Sequence, residues 1–149
     1  MITQAERDRC VEEWELRRLT WLYARAMDSN EPEILERIFT DDAVIESPLR
    51  AQRGIAEVRA IPGMLKQMFA STMHTVHNQT VSISGDTADG ETYCVAYQLK
   101  KPKDGVHRRL DWGIRYQDKF VRKNGAWRFS HRRLIVEWEQ ITEVKMVGG

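Results

Sequence analysis

The hydrophobic period of this chain changes once, near Thr72, and that switch limits the folds open to it. Before Thr72, apolar residues recur every three or four positions, the repeat of helices with one buried stripe. After it they alternate with polar residues, the repeat of strands with one buried face. Helices followed by a long antiparallel meander predict an α+β domain. The expected form is a cone-shaped α+β barrel, its N-terminal helices packed on a strongly curved antiparallel sheet. A bent sheet backed by helices encloses a cavity, and cavities of that kind hold small molecules.

The helical third reads in some detail. Thr3 with Glu6 forms a capping-box pattern, so a helix starts there and runs to about Met27. Leu19, Leu22, Tyr23 and Ala26 give it a buried face. Asp28-Ser29-Asn30 stops it, and Ser29 or Asn30 then caps a short second helix with Pro32 in its first turn. Asp41-Asp42 reads as a turn and Ala43–Glu46 as a short strand ended by Pro48, with residues 49–53 pairing back on it. Gly54 opens a third helix that Pro62-Gly63 kinks or splits.

The strands follow. The first runs from Thr72 to about Ser84 and turns at Gly85-Asp86. The next carries Tyr93, Val95, Tyr97 and Leu99 on one face. A polar loop at 101–105 leads to a strand alternating Leu110, Trp112, Ile114, Tyr116 and Phe120 against Arg109, Asp111, Arg115 and Lys119. Asn124-Gly125 suits a type I′ hairpin turn. The last strand holds Trp127, Phe129 and Leu134-Ile135-Val136, and the tail is expected to fray at Gly148-Gly149.

Composition narrows the function classes. The 149 residues fit one domain, taken as 1–149. With 23 basic and 22 acidic side chains, the net charge of +1 gives no ground for a nucleic-acid or membrane partner. Cys10 and Cys94 lack metal-type spacing and read as small apolar packers in a reduced, cytoplasmic setting. The N-terminus is too polar for a signal peptide, and the apolar runs are too short to span a bilayer. Serine-nucleophile, P-loop and dinucleotide motifs are absent, so no cofactor is expected.

The chemistry concentrates in Thr72-Met73-His74-Thr75-Val76-His77-Asn78 and in Asp28 at the end of the first helix. A carboxylate that fixes a histidine tautomer leaves the other ring nitrogen free to take a proton. Asp28 with His74 makes such a pair if folding joins them; otherwise Asp28 is a turn residue and His74 a satisfied structural histidine. Asp28 sits at the end of a helix where a carboxylate is electrostatically unfavourable, which speaks for a specific partner. His77 has the opposite strand parity and is expected to face outward. The same parity argues against a two-histidine metal site, so no metal is assigned. Tyr23 is either core or a hydrogen-bond donor to substrate. Arg132 is either surface or an inward cation stabilising a developing anion. Trp112, Tyr97 and Tyr116 are the expected wall of a pocket for a cyclic, largely apolar substrate.

Leu22-Tyr23-Ala24-Arg25-Ala26-Met27-Asp28, followed by Leu35-Glu36-Arg37-Ile38-Phe39-Thr40-Asp41-Asp42-Ala43-Val44, resembles the opening signature of SnoaL-like proteins. His74 to Asn78, Gly85-Asp86-Thr87-Ala88 and Asn124-Gly125-Ala126-Trp127-Arg128-Phe129 resemble that family in order and spacing. The resemblance runs from about residue 10 to 140 and implies the fold of the nuclear-transport-factor-2-like superfamily.

Within that group the arrangement is most similar to lindane dehydrochlorinase, scytalone dehydratase and the bile-acid dehydratases. The resemblance puts Asp28 and His74 on their proton-abstracting dyad and Asn78 on an asparagine-like position beside the substrate. It puts Arg132 on the arginine of the dehydrochlorinase and Tyr23 on a cavity tyrosine of the bile-acid dehydratases. No single member's full set is present. The implied activity is a cofactor-independent lyase, by dehydratase-like or dehydrohalogenase-like β-elimination, or an isomerase. The rivals are a polyketide cyclase or steroid-type isomerase with a carboxylate base, and a non-catalytic scaffold like a dioxygenase β-subunit. The resemblance also implies a homo-oligomer, dimer or trimer, formed through the outer face of the sheet, with Trp138 and the C-terminal segment as candidate contacts.

Overall fold

A computed structural model describes residues 1–147, so the expectation for Gly148-Gly149 lies outside the described residues. Helix α1 spans Gln4–Ser29. Its capping box is made: the Thr3 backbone N–H donates to Glu6 Oε2 at 2.7 Å, and Glu6 N–H donates to Thr3 Oγ1 at 3.2 Å. Leu16, Leu19, Tyr23, Ala26 and Met27 form the buried face. Asn30 ends the helix in the left-handed region, φ 53°, where its N–H reaches the Ala26 carbonyl. Asn30 is therefore occupied at the end of α1. Helix α2, Pro32–Ile38, begins at Glu31 with no side-chain cap, contrary to the expected Ser29 or Asn30.

Strand β1, Phe39–Glu46, starts earlier than the sequence suggests. Asp41 and Asp42 are part of it rather than a turn. They are exposed where the pairing slips between Phe39 and Val44, so an irregular strand carries the polar pair toward solvent. Strand β2, Ala51–Arg53, pairs back on β1. The third helical stretch is split into α3, Ile55–Arg59, and α4, Ile61–Met68, with Pro62 in the first turn of α4. Four long strands follow: β3 Phe69–Ser84, β4 Thr87–Lys100, β5 Arg108–Lys123 and β6 Ala126–Glu143. The hairpin between β5 and β6 turns on Asn124 and Gly125, φ 51° and 75°, both positive as a type I′ turn requires.

The strand order is β2-β1-β6-β5-β4-β3. The α+β class and the curvature are as expected, with two corrections. β1 runs parallel to β6, so the sheet is mixed. It is also open, with β2 and β3 as its edges, and is not a closed barrel. Register slips at Val76/Gln79, Gly113/Ile114 and Lys119/Phe120 mark bulges, devices that bend a strand.

The inner face of β4 is also corrected. Ala88, Thr92, Cys94, Ala96 and Gln98 are buried, while Tyr93, Val95, Tyr97 and Leu99 share the outer face. The outer aromatics are covered by cations: Arg115 lies 5.0 Å above Tyr93 and Arg109 4.6 Å above Tyr97. The small inner residues leave room for α1 and for a cavity. Cys94 packs in the core as expected, but Cys10 is exposed on the solvent side of α1. No helix is long and apolar enough to cross a membrane.

Asn30 fixes where α1 stops, and hence where Asp28 points. Asn30→Ala is expected to cost about 1–2 kcal/mol, because Ala lacks the short polar side chain that lets Asn tolerate positive φ, while Asn30→Gly, which has no Cβ to strain, should be at least as stable as wild type. Urea unfolding midpoints of the two variants check this.

Candidate active site

The last turn of α1 lies against the start of β3. There the Asp28 carboxylate meets three groups. Thr72 Oγ1 donates to Oδ1 at 2.8 Å, the His74 backbone N–H donates to Oδ2 at 2.8 Å, and His74 Nδ1 lies 2.7 Å from Oδ1. The His74 side chain is 9 % exposed and that of Asp28 24 %. Burial pushes the Asp28 carboxyl up, but the hydrogen bonds and charge of His74, with the Thr72 hydroxyl, outweigh it and hold it below its ordinary value. Thr72 was missed in the sequence. Its signal was parity: two residues before His74, it shares that histidine's face.

Tyr23 sits one turn and a half before Asp28 and presents its ring edge-on to His74, centroids 6.4 Å apart. Burial pushes its hydroxyl up to about 12, with Arg132 pulling the other way. It therefore stays protonated across the working pH range and can serve as a donor.

Behind Tyr23 lies a buried ion pair that the sequence reading did not contain. Arg132 is inward and fully buried. Its Nε and Nη2 each donate to Asp118, both at 2.8 Å. Its guanidinium lies 4.4 Å from the Tyr23 ring centre, 4.0 Å from that of Tyr116 and 4.3 Å from that of Phe129. Asp118 keeps Arg132 charged despite burial. Arg132 is thus no free cation on a cavity wall, because its charge is already paired beneath it. Asp118 was legible as an acid at two-residue spacing between Tyr116 and Phe120 on the buried face of β5.

Above this layer opens a cavity of about 390 Å³, lined mainly by apolar side chains from every strand except β2, by Gln52 of β2, and by α4. His74 and Tyr23 supply polar groups on one side, with Trp112, Leu134, Leu65 and Ile114 among the apolar walls. Leu49 and Met68 line it and are exposed, so the mouth lies between the loop after β1 and the end of α4. A larger depression of about 650 Å³ lies on the outer face. Among its charges, Lys119 lies 3.3 Å from Asp89 and His131 3.5 Å from Glu46.

The expected substrate wall holds only in part. Trp112 lines the cavity, and its indole N–H donates to Glu139 at 3.0 Å. Tyr97 does not: it stands on the outer face under Arg109. Tyr116 is inward but lies below the cavity in the core, 5.8 Å from Tyr23. Asn78 is exposed, at the bulge between Val76 and Gln79 that turns it away from the cavity, and His77 beside it is exposed as expected. Among the described residues, no group of three His, Cys, Asp or Glu side chains is placed to hold a metal ion.

The two glutamines of the cavity differ. In the orientation that satisfies both ends of its amide, Gln52 donates to the Ile45 carbonyl at 3.2 Å and accepts from Arg50 Nε at 2.9 Å. Gln98, 4 % exposed, has a buried amide nitrogen with no partner. Such a group costs about 1–3 kcal/mol.

With this geometry established, comparison with known proteins is informative. The SnoaL-like domain family matches residues 8–133. The chain belongs to the SnoaL-like family. An uncharacterized protein of Mycobacterium tuberculosis is 31 % identical over 122 residues, covering 79 % of this chain and 80 % of that one. Among solved structures, a candidate scytalone dehydratase from Novosphingobium aromaticivorans superposes with a TM-score of 0.79 at 21 % identity, over 92 % of this chain and 91 % of that one. The hexachlorocyclohexane dehydrochlorinase LinA-type3 from Novosphingobium barchaimii gives a TM-score of 0.77 at 15 % identity, over 94 % of each chain. These likenesses share the SnoaL-like fold.

Two measurements check the site. Because Asp28 titrates lower when folded, its stabilisation is complete above the unfolded value of about 3.9 and is lost as pH falls through the lower folded value. Asp28→Asn is therefore expected to flatten the acid limb of a Tm-against-pH curve. Arg132→Met leaves Asp118 buried and unpaired, an expected loss of about 3–5 kcal/mol in chemical denaturation, and adding Asp118→Leu should recover most of it.

Proposed function

We propose that this SnoaL-like protein is a cofactor-independent lyase or isomerase of small cyclic, largely apolar molecules. His74 takes a proton from carbon. Asp28 fixes the imidazole tautomer and stabilises the charged ring, and Tyr23 donates a hydrogen bond to oxygen or to a departing group. The observation that carries this reading is the 2.7 Å contact between Asp28 Oδ1 and His74 Nδ1 at the edge of an apolar cavity. With Nδ1 committed to Asp28, Nε2 is the nitrogen left for substrate. Arg132 acts as a positioning residue: paired with Asp118, it supports the Tyr23 ring from below.

The same contact weighs against the rivals. A carboxylate base would have to face the substrate, whereas His74 lines the cavity and Asp28 is turned to His74 and Thr72. A non-catalytic scaffold needs no such charge-assisted pair. The fold shared with a dehydrochlorinase and a candidate dehydratase is consistent with elimination chemistry.

The test is a panel of cyclic β-hydroxy ketones, cyclic enones and halogenated cyclohexanes, with products analysed by mass spectrometry. Wild type is expected to release water or halide, or to move a double bond, in at least one. His74→Ala should lose on the order of 10²–10⁴ in rate with its circular dichroism unchanged. Turnover by His74→Ala at the wild-type rate would remove the proposal.

A further inference from the structure

The apolar cavity carries one permanently charged side chain among the described residues that line it. This is Arg50, next to Leu49 at the mouth; no Asp, Glu or Lys lines the cavity. The backbone of Arg50 is tied down by Ser47. The Ser47 backbone N–H and hydroxyl donate to the Arg50 carbonyl at 3.0 and 2.9 Å, and the Arg50 N–H donates to Ser47 Oγ at 3.3 Å. The chain after β1 is therefore a closed turn, and the root of the Arg50 side chain is fixed.

From that root the guanidinium reaches toward α4. Nη2 donates to Met64 Sδ at 2.9 Å, and Nε donates to the Gln52 amide oxygen at 2.9 Å. Ser47, Gln52 and Met64 all line the cavity, so the guanidinium stands at its opening. These are weak partners for a cation: a thioether is a poor acceptor, and an amide oxygen carries no charge. Arg50 has no carboxylate partner among the described residues. Glu46, which shares a neighbouring depression with it, is turned to His131 at 3.5 Å. A guanidinium holds five N–H groups in a fixed fork. Met64 and Gln52 use one each, which leaves three for a ligand.

An apolar cavity with a lone cation at its mouth selects amphiphiles. Trp112, Leu134 and Ile114 suit a hydrocarbon ring. An acid group is costly to bury, but at the mouth it keeps part of its water while it meets the fork, whose geometry matches a carboxylate. The charge then fixes which end of the molecule faces out and leaves the ring to His74 and Tyr23.

We propose that Arg50 is an anion subsite and that the ligand of this cavity is a ring carboxylate, hydrocarbon inside and acid at the mouth. The subsite rests on the reading above for the reaction of the ring, and it narrows the substrate class from apolar rings to ring acids. On binding, a carboxylate oxygen replaces the Met64 sulfur as acceptor from Arg50. Arg50 orients the ligand and takes no part in proton transfer.

The probes are cyclohexylacetate, cyclohexylpropanoate and cyclohexylbutanoate, each beside its primary amide, which has nearly the same shape and no charge. Binding is read by isothermal titration calorimetry. Wild type should bind at least one acid on the order of tenfold more tightly than its amide. Raising NaCl to about 0.5 M should shrink that preference. Arg50→Met and Arg50→Gln should bind the acid no better than the amide, with amide binding and circular dichroism unchanged, and Arg50→Lys should keep part of the preference. The ratio of acid to amide should persist in His74→Ala. No acid preference in wild type at any chain length, a preference that survives in both uncharged variants, or equal loss of acid and amide binding in both would overturn the subsite. Loss of the preference in His74→Ala but not in the Arg50 variants would move the anion to the histidine and overturn it too. Arg50-dependent acid binding with no turnover of any ring compound would support the subsite and count against the lyase reading. His74-dependent turnover of neutral rings without acid preference would do the reverse.

Discussion

The hydrogen bonds from His74 to Asp28 join the end of the first helix to the first long strand, and the rest of the site is arranged around them. A carboxylate at a helix C-terminus opposes the helix dipole, at a cost of about 0.3–1 kcal/mol. Hydrogen bonds to a charged group return about 1.5–3 kcal/mol each, and Asp28 receives them from Thr72, the His74 backbone and the His74 ring. The sheet therefore wins over the dipole. The position is tolerable only because β3 supplies partners, so the length of α1 matters to the chemistry. Asn30, with its left-handed backbone, stops the helix where the carboxylate can reach them.

Below that joint the molecule holds a second polar layer of opposite design. The side chains of Arg132 and Asp118 are buried, and each pairs with the other. Three aromatic rings surround the guanidinium, which favours a cation with weak hydration over an ammonium. The layer carries no net charge toward the cavity and gives Tyr23 a rigid floor. The upper half is mostly hydrocarbon because β4 turns Cys94 and Ala96 inward, leaving volume that Tyr93 and Tyr97 would have filled.

The start of α1 and the hairpin turn between β5 and β6 were legible because each depends on local chemistry. Thr3 with Glu6, and Asn124 with Gly125, need only their neighbours. The Asp28–His74 contact was legible only as a conditional, since 46 residues separate the partners. What failed depended on information outside the segment. Nothing in the alternation of β4 says which face is inward; the larger side chains suggested one answer, and outer cations that cover Tyr93 and Tyr97 gave the other. The parallel β1–β6 pairing joins strands far apart in the chain. Asn78 was misplaced by a bulge, which breaks the two-residue repeat on which such reasoning depends.

The same separation of local from distant information bears on how such a site can change. Asp28 and His74 are fixed by α1 and β3, where a shift would break the hydrogen bonds between them. The walls come from α4, the loop after β1 and the inner faces of β4 to β6, where an apolar side chain can be exchanged for another of similar volume at modest cost. The Asp28–His74 pair is thus held in place while the shape of the cavity is free to drift. Gln98 stands between these regimes: it lies on the wall, yet its buried amide nitrogen has no hydrogen-bond partner. Replacing it by an apolar residue would relieve a buried donor and gain stability.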